Sequence, residues 1–130
     1  EGLIGKRLAK FVNPTHTFNS KTLLDLLMNE YDTVYVAAPS GNRIWASENP
    51  GFDQASIGLL IRNFLVTRCN RIVLMSTGDT QVRPDSGYGK NRLELETAVR
   101  GRFENHYIIR YRLNDTKNKS RKGRRGCMQE

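Results

Sequence analysis

Ile72-Val73-Leu74-Met75-Ser76-Thr77-Gly78-Asp79, followed by Ser86-Gly87-Tyr88-Gly89-Lys90-Asn91-Arg92-Leu93-Glu94-Leu95-Glu96, decides how this chain is read. The run from Ile72 to Met75 is short, apolar and bounded by hydroxyl and glycine residues, the pattern of a buried strand. From Asn91 to Phe103, Leu95, Val99 and Phe103 recur at helical spacing. A hydroxyl, Thr77, therefore follows a strand, and a phenol, Tyr88, opens a helix. Tyr88 and Arg92 lie four apart, so one helical face carries both, and a cation stands beside a group that can give or take a proton.

Working outward, the strand and helix signals alternate. Leu3, Ile4, Leu8 and Phe11 form a helical stripe directly after the glycine pair Gly2 and Gly5, so a helix is expected over Leu3 to Val12. Pro14 to Met28 is compressed: a short strand is expected over His16 to Phe18, then a cap at Asn19 or Ser20 and a helix from Thr22 to Asn29 bearing Leu23, Leu24, Leu27 and Met28. Thr33 to Ala37 is β-branched and runs into Ala38-Pro39-Ser40-Gly41, whose small side chains let a ligand approach the backbone. Further strands are expected over Ile72 to Ser76 and His106 to Arg110, and further helices between Asp53 and Val66 and from Tyr88 to Phe103. Ser40 to Phe52 and Gly78 to Gly87 read as loops. The alternation predicts an α/β fold, three-layered, with a mostly parallel sheet and a ligand crevice at the carboxyl ends of its strands.

With Gly2, Gly5, Thr77 and Tyr88 in this order, the chain resembles the extended short-chain dehydrogenase/reductase family, which includes NAD(P)-dependent epimerases and dehydratases of sugar nucleotides. The resemblance covers roughly residues 2 to 110. It implies a Rossmann-like dinucleotide-binding domain in which Thr77 and Tyr88 fill the family's Ser/Thr and Tyr positions. Arg92 stands where the family has lysine, and arginine keeps the charge but cannot release the proton. The resemblance further implies that Gly2 and Gly5 are the last two glycines of the pyrophosphate turn. It places Asn19, Ser20 and Lys21 by the adenosine ribose and Ala37, Ala38 and Pro39 along the cofactor. The cofactor is then NAD or NADP, and Lys21 favours the 2′-phosphorylated form.

Two parts of the family pattern are missing from the sequence: the strand before the glycine turn and the substrate-binding lobe after Arg110. A truncated relative is the reading that follows. Without its first strand, the strands near His16 and Thr33 are expected to pair directly, unless a second copy covers the exposed edges in a homo-oligomer. Two functions stay open. One is an oxidoreductase acting on a nucleotide-sugar-type substrate; the other is a non-catalytic remnant that binds nucleotide or, through its basic end, polyanions.

The chain has 130 residues and a net charge of +8, enough for one core, and residues 1–113 read as a single domain. From Asn114 onward, six cations face only Asp115 and Glu130 with almost no apolar residues, so residues 114–130 read as a disordered basic tail. Such a tail would hold nucleic acid weakly, without sequence preference and in a salt-sensitive way. Cys69 and Cys127 have no spacing that implies a disulfide framework or zinc site. No apolar run is long enough for a bilayer, and the cytoplasm is the expected compartment. His16 and His106 stand alone, Gly89-Lys90 lacks the flanking residues of a phosphate loop, and no Gly-x-Ser-x-Gly occurs. Trp45 reads as a core residue or a pocket wall, and Asp79 as a turn-former.

Overall fold

The computed structural model describes residues 3–19, 22, 29–37 and 43–111. They form an α/β unit around an open three-stranded parallel sheet, in the order β1 (Glu30–Val36), β2 (Arg68–Thr77), β3 (His106–Tyr111). Helix α1 (Leu3–Val12) precedes the sheet. Between β1 and β2 run α2 (Arg43–Glu48) and α3 (Pro50–Phe64); between β2 and β3 run α4 (Asp79–Val82) and α5 (Gly87–Arg102).

Each element has a local cause. Pro50 occupies the first turn of α3, where its missing N–H costs nothing, and Asp53 puts a carboxylate near the helix's positive end. Ser86 caps α5 by accepting the Gly89 N–H at 3.0 Å, and Arg100 and Arg102 close it with cations. The sheet is parallel because each pair of strands is joined by a helical crossover. In the order β1-β2-β3, right-handed crossovers place α3 and α5 on one face.

That face holds the core. Val36 of β1, Ile72 and Leu74 of β2, Ile57 and Phe64 of α3, and Leu95, Val99 and Phe103 of α5 or its end pack into one cluster. Phe64 and Phe103 meet edge to face, with ring centroids 5.7 Å apart. On the opposite face, Tyr35, Tyr107 and Ile109 remain exposed. Register explains the division: Val34 pairs with Ile72 and Leu74 with Ile108 toward the helices, whereas Tyr35 pairs with Val73 and Val73 with Tyr107 away from them.

Several expectations need correction. His16 to Phe18 is not a strand; Asn13 takes a positive φ of 48°, Pro14 follows, and the next residues approach β1 only through rings, His16 and Phe18 lying 6.0 and 5.9 Å from Tyr31. The direct pairing expected between this segment and β1 is likewise not formed: among the described residues β1 pairs with β2 alone. Ser40 to Phe52 is not all loop, because Arg43–Glu48 is helical and α3 starts at Pro50 rather than Asp53. Gly78 to Gly87 likewise contains α4. The expected helix over 22–29 and the tail 114–130 fall almost wholly or wholly outside the described residues, as do Gly2, Ser20, Lys21, Ala38 and Pro39. No described helix is long and apolar enough to cross a membrane.

Candidate functional site

The carboxyl end of the sheet gathers the residues on which the sequence reading rests. Thr77 is the last residue of β2 and is buried. Its Oγ1 accepts the Asp79 N–H at 3.2 Å, and its carbonyl accepts the Thr80 hydroxyl at 3.1 Å, so the turn into α4 is built on it. A serine or threonine here is a local necessity, because the hydroxyl replaces a backbone acceptor in the turn.

Tyr88 sits in the first turn of α5 and is 4% exposed. Arg92, also 4% exposed, lays its guanidinium carbon over the Tyr88 ring, 4.4 Å from the centroid. The cation thus meets the face of the ring, while its Nη1 donates to both carboxylate oxygens of Asp53 at 2.9 Å. Asn91 adds a 2.9 Å hydrogen bond to Asp53 Oδ2. Helical periodicity accounts for the meeting: Tyr88, Arg92, Leu95, Glu96 and Val99 share the buried face of α5, and Asp53, Ile57 and Phe64 share that of α3.

Two more charge clusters adjoin this one. Glu96 is fully buried and accepts from Ser76 Oγ at 2.6 Å and from Arg110 at 2.8 and 3.1 Å, with Arg100 at 3.4 Å. Burial alone would push its carboxyl up, but the hydrogen bonds from Arg110 and Ser76 and the charge of Arg110 outweigh it and hold the group below the ordinary glutamate range. Asp79, almost fully buried, pairs with Arg43 at 3.2 Å. It is therefore more than a turn-former, since it receives a cation from the far side of the crossover.

Gly89 fixes the approach of α4 to α5. A Cβ there would stand 2.2 Å from the Arg83 carbonyl oxygen and 2.9 Å from that of Asp79. Only glycine lets the first turn of α5 lie so close to the end of α4.

The structure also adds Tyr111. It ends β3 opposite Thr77 in register, and its carbonyl accepts the Gly78 N–H at 3.0 Å. Burial pushes its phenol up, and Tyr88 adds to this, while the charge of Arg92 opposes it. Sequence reasoning missed Tyr111, Asp53 and Glu96. Helical spacing to Arg92 could have flagged Glu96, but only the strand register identifies Tyr111 and only the packing of α3 on α5 identifies Asp53.

The remaining predicted positions are more scattered. Ala37 is half-buried and directly follows β1, at the same end of the sheet as Thr77. Gly5 lies in the first turn of α1. Asn19 engages Thr22, its Oδ1 accepting the Thr22 N–H at 3.1 Å and its own N–H reaching Thr22 Oγ1 at 2.9 Å. Trp45 is exposed on α2 rather than packed in the core.

A depression of about 570 Å³ opens at the other end of the sheet, lined by Tyr31, Asp32, Cys69, Asn70 and Arg102 among others. Arg102 donates there to the Leu65 and Thr67 carbonyls at 3.5 and 3.2 Å. Burial pushes the Cys69 thiol up, the opposite of what an activated nucleophile requires. Among the described residues, no group of three or more His, Cys, Asp or Glu could hold a metal ion. No protein-family model, curated protein or solved structure matches the chain.

Proposed function

We propose that this chain is a Rossmann-like dinucleotide-binding domain, an NAD(P)-dependent epimerase/dehydratase-like oxidoreductase acting on a nucleotide-sugar-type substrate. The observation that carries this reading is that Thr77 ends β2 and Tyr88 opens the following long helix, α5, both at the carboxyl end of a parallel sheet, where ligands of open α/β sheets bind. Thr77 accepts from a backbone N–H, and its O–H is left to donate toward a substrate oxygen. Tyr88 supplies a phenol that passes a proton to or from the substrate hydroxyl, and Ala37 offers a small side chain beside the ribose. A bound nicotinamide dinucleotide would supply hydride exchange at the substrate carbon.

Calorimetric titration with NAD and NADP, each oxidised and reduced, tests this reading. Micromolar binding of one pair supports it, and no binding of any of the four up to millimolar concentration overturns it. If the domain turns over, Tyr88→Phe is expected to abolish the rate while leaving cofactor affinity nearly unchanged, because the proton donor goes and the ring stays.

One observation favours the second reading, a non-catalytic remnant that keeps the fold. Arg92 already serves Asp53 and Tyr88 and is 4% exposed, so little of its guanidinium is left for a ribose. Arg92→Lys separates the two readings. A gained or increased rate indicates a competent scaffold limited by its arginine; cofactor binding with no activity in either form supports the remnant.

A further inference from the structure

Helix α1 carries a surface that the dinucleotide reading does not use. Its sequence, Leu3-Ile4-Gly5-Lys6-Arg7-Leu8-Ala9-Lys10-Phe11-Val12, contains three cations and no carboxylate. Ile4, Leu8, Ala9 and Val12 are half-buried, whereas Lys6, Arg7, Lys10 and Phe11 all face solvent. These four fall at i, i+1, i+4 and i+5, which is a single helical face. Among the described residues, none of the three cations has an ion-pair or hydrogen-bond partner. Phe11 is 88% exposed, the most exposed of the large apolar side chains among the described residues. A solvated basic face explains the lysines and the arginine but not a phenylalanine among them.

We infer that this face of α1 is a binding surface for single-stranded nucleic acid, with Lys6, Arg7 and Lys10 on the phosphates and Phe11 stacking on a base. Charge complementarity selects a polyanion, since nothing on the helix repels one and the whole chain carries +8. The aromatic ring selects an unpaired strand, whose base faces are open to stacking, over a duplex, whose base faces are closed. Lys6 and Lys10 are one turn apart, about 6 Å along the axis, so both can serve one strand running along the helix. A lone aromatic ring offers too little apolar area to seat the helix in a bilayer surface, where binding scales with buried apolar area.

Fluorescence anisotropy of the full chain with a labelled oligothymidylate, across a salt series, tests the inference. Because the basic tail stays in place throughout, the readout is the difference made by α1. Phe11→Ala should weaken single-strand binding about tenfold, within the range measured for loss of one stacked base. Lys6→Gln with Lys10→Gln should reduce the log–log salt slope by about 1.4, at roughly 0.7 per lost phosphate contact. All these side chains are exposed, so the variants should fold, and far-UV circular dichroism checks that they do. Unchanged affinity and slope in both variants would assign any binding to the tail and overturn the proposal. So would a wild-type chain that does not bind at low salt, one that prefers a duplex hairpin of equal length, or one that binds phosphatidylserine vesicles but not the oligonucleotide.

Discussion

The two ends of the sheet use the same chemistry with opposite results. At the carboxyl end, Asp53 with Arg92 and Glu96 with Arg110 are ion pairs in which the carboxylate is buried and each pair has a further donor, Asn91 or Ser76. At the amino end, Glu30 with Arg68 at 3.5 Å and Asp32 with Arg71 at 3.6 Å also join β1 to β2, but all four side chains are exposed. A buried charge that loses its partner has no water to replace it, whereas an exposed one does. The difference shows that burial, more than distance, decides which ion pairs hold this molecule in shape, and the buried ones surround Tyr88 and Thr77.

The sharpest way to break this comparison is Asp53→Ala. It removes the buried carboxylate that accepts from both the Arg92 guanidinium and the Asn91 amide, and unfolding should become easier by about 3–5 kcal/mol in urea titration. A loss under about 1 kcal/mol would mean that water reaches Arg92 and that the carboxyl end is no drier than the other.

Gly89→Ala comes next, because its new Cβ meets backbone oxygens that cannot swing aside; a loss of about 1–3 kcal/mol is expected. Gly101→Ala in the same helix is the control. Nothing lies within 4 Å of its Cβ, and this substitution should be neutral or stabilise by up to about 1 kcal/mol. Equal effects at the two positions would remove the argument that α4 and α5 are held together at Gly89.

Glu96 sharpens the comparison through pH. Its folded-state pKa lies below the ordinary value of 4.5, so its stabilising contribution is complete above that pH and is lost as the pH falls through the folded value. Glu96→Gln should therefore be less stable than wild type at pH 7, and the gap should narrow on acidification. A gap independent of pH would mean that shape, not charge, is what Glu96 supplies.

The smallest effect belongs to the amino end. The Asp32 carboxyl is held down by hydrogen bonds from Asn70 and Thr33 and by the charge of Arg71, yet its side chain is exposed. Asp32→Asn should leave the unfolding midpoint unchanged within error in high salt and nearly so in low salt. A shift comparable to that of Asp53→Ala would erase the distinction between the ends.

Much of the described fold was legible locally. The expected Leu3 to Val12 helix matches α1, and Thr33 to Ala37, Ile72 to Ser76 and His106 to Arg110 fall within or beside β1, β2 and β3. Their boundaries moved by up to four residues, since polar residues such as Glu30 and Arg68 join a ladder once a partner strand lies opposite, whatever their own preference. The His16 to Phe18 strand failed because three residues have no ladder without a partner strand. Asn49 and Pro50 carry a start signal for α3, which accounts for its beginning before Asp53. For the candidate site, Thr77 and Tyr88 were legible as hydroxyls at a strand end and a helix start. The partner of Arg92 was not, because nothing in its spacing points to Asp53.

By itself, the sequence determined what is local: the alternation of helix and strand, the Ser86 cap, the apolar stripes that form the core and the hydroxyl at the end of β2. Those depend on residues within a few positions of one another, where period and turn chemistry act directly. Only the tertiary structure decided that Arg92 meets Asp53, that Glu96 sits between Ser76 and Arg110, that Arg43 reaches Asp79 and that Tyr111 ends opposite Thr77. Each of these depends on strand order, register and the packing of α3 against α5. A charged side chain can satisfy its field with any opposite charge that the fold brings near, so its own neighbours in sequence do not name the partner.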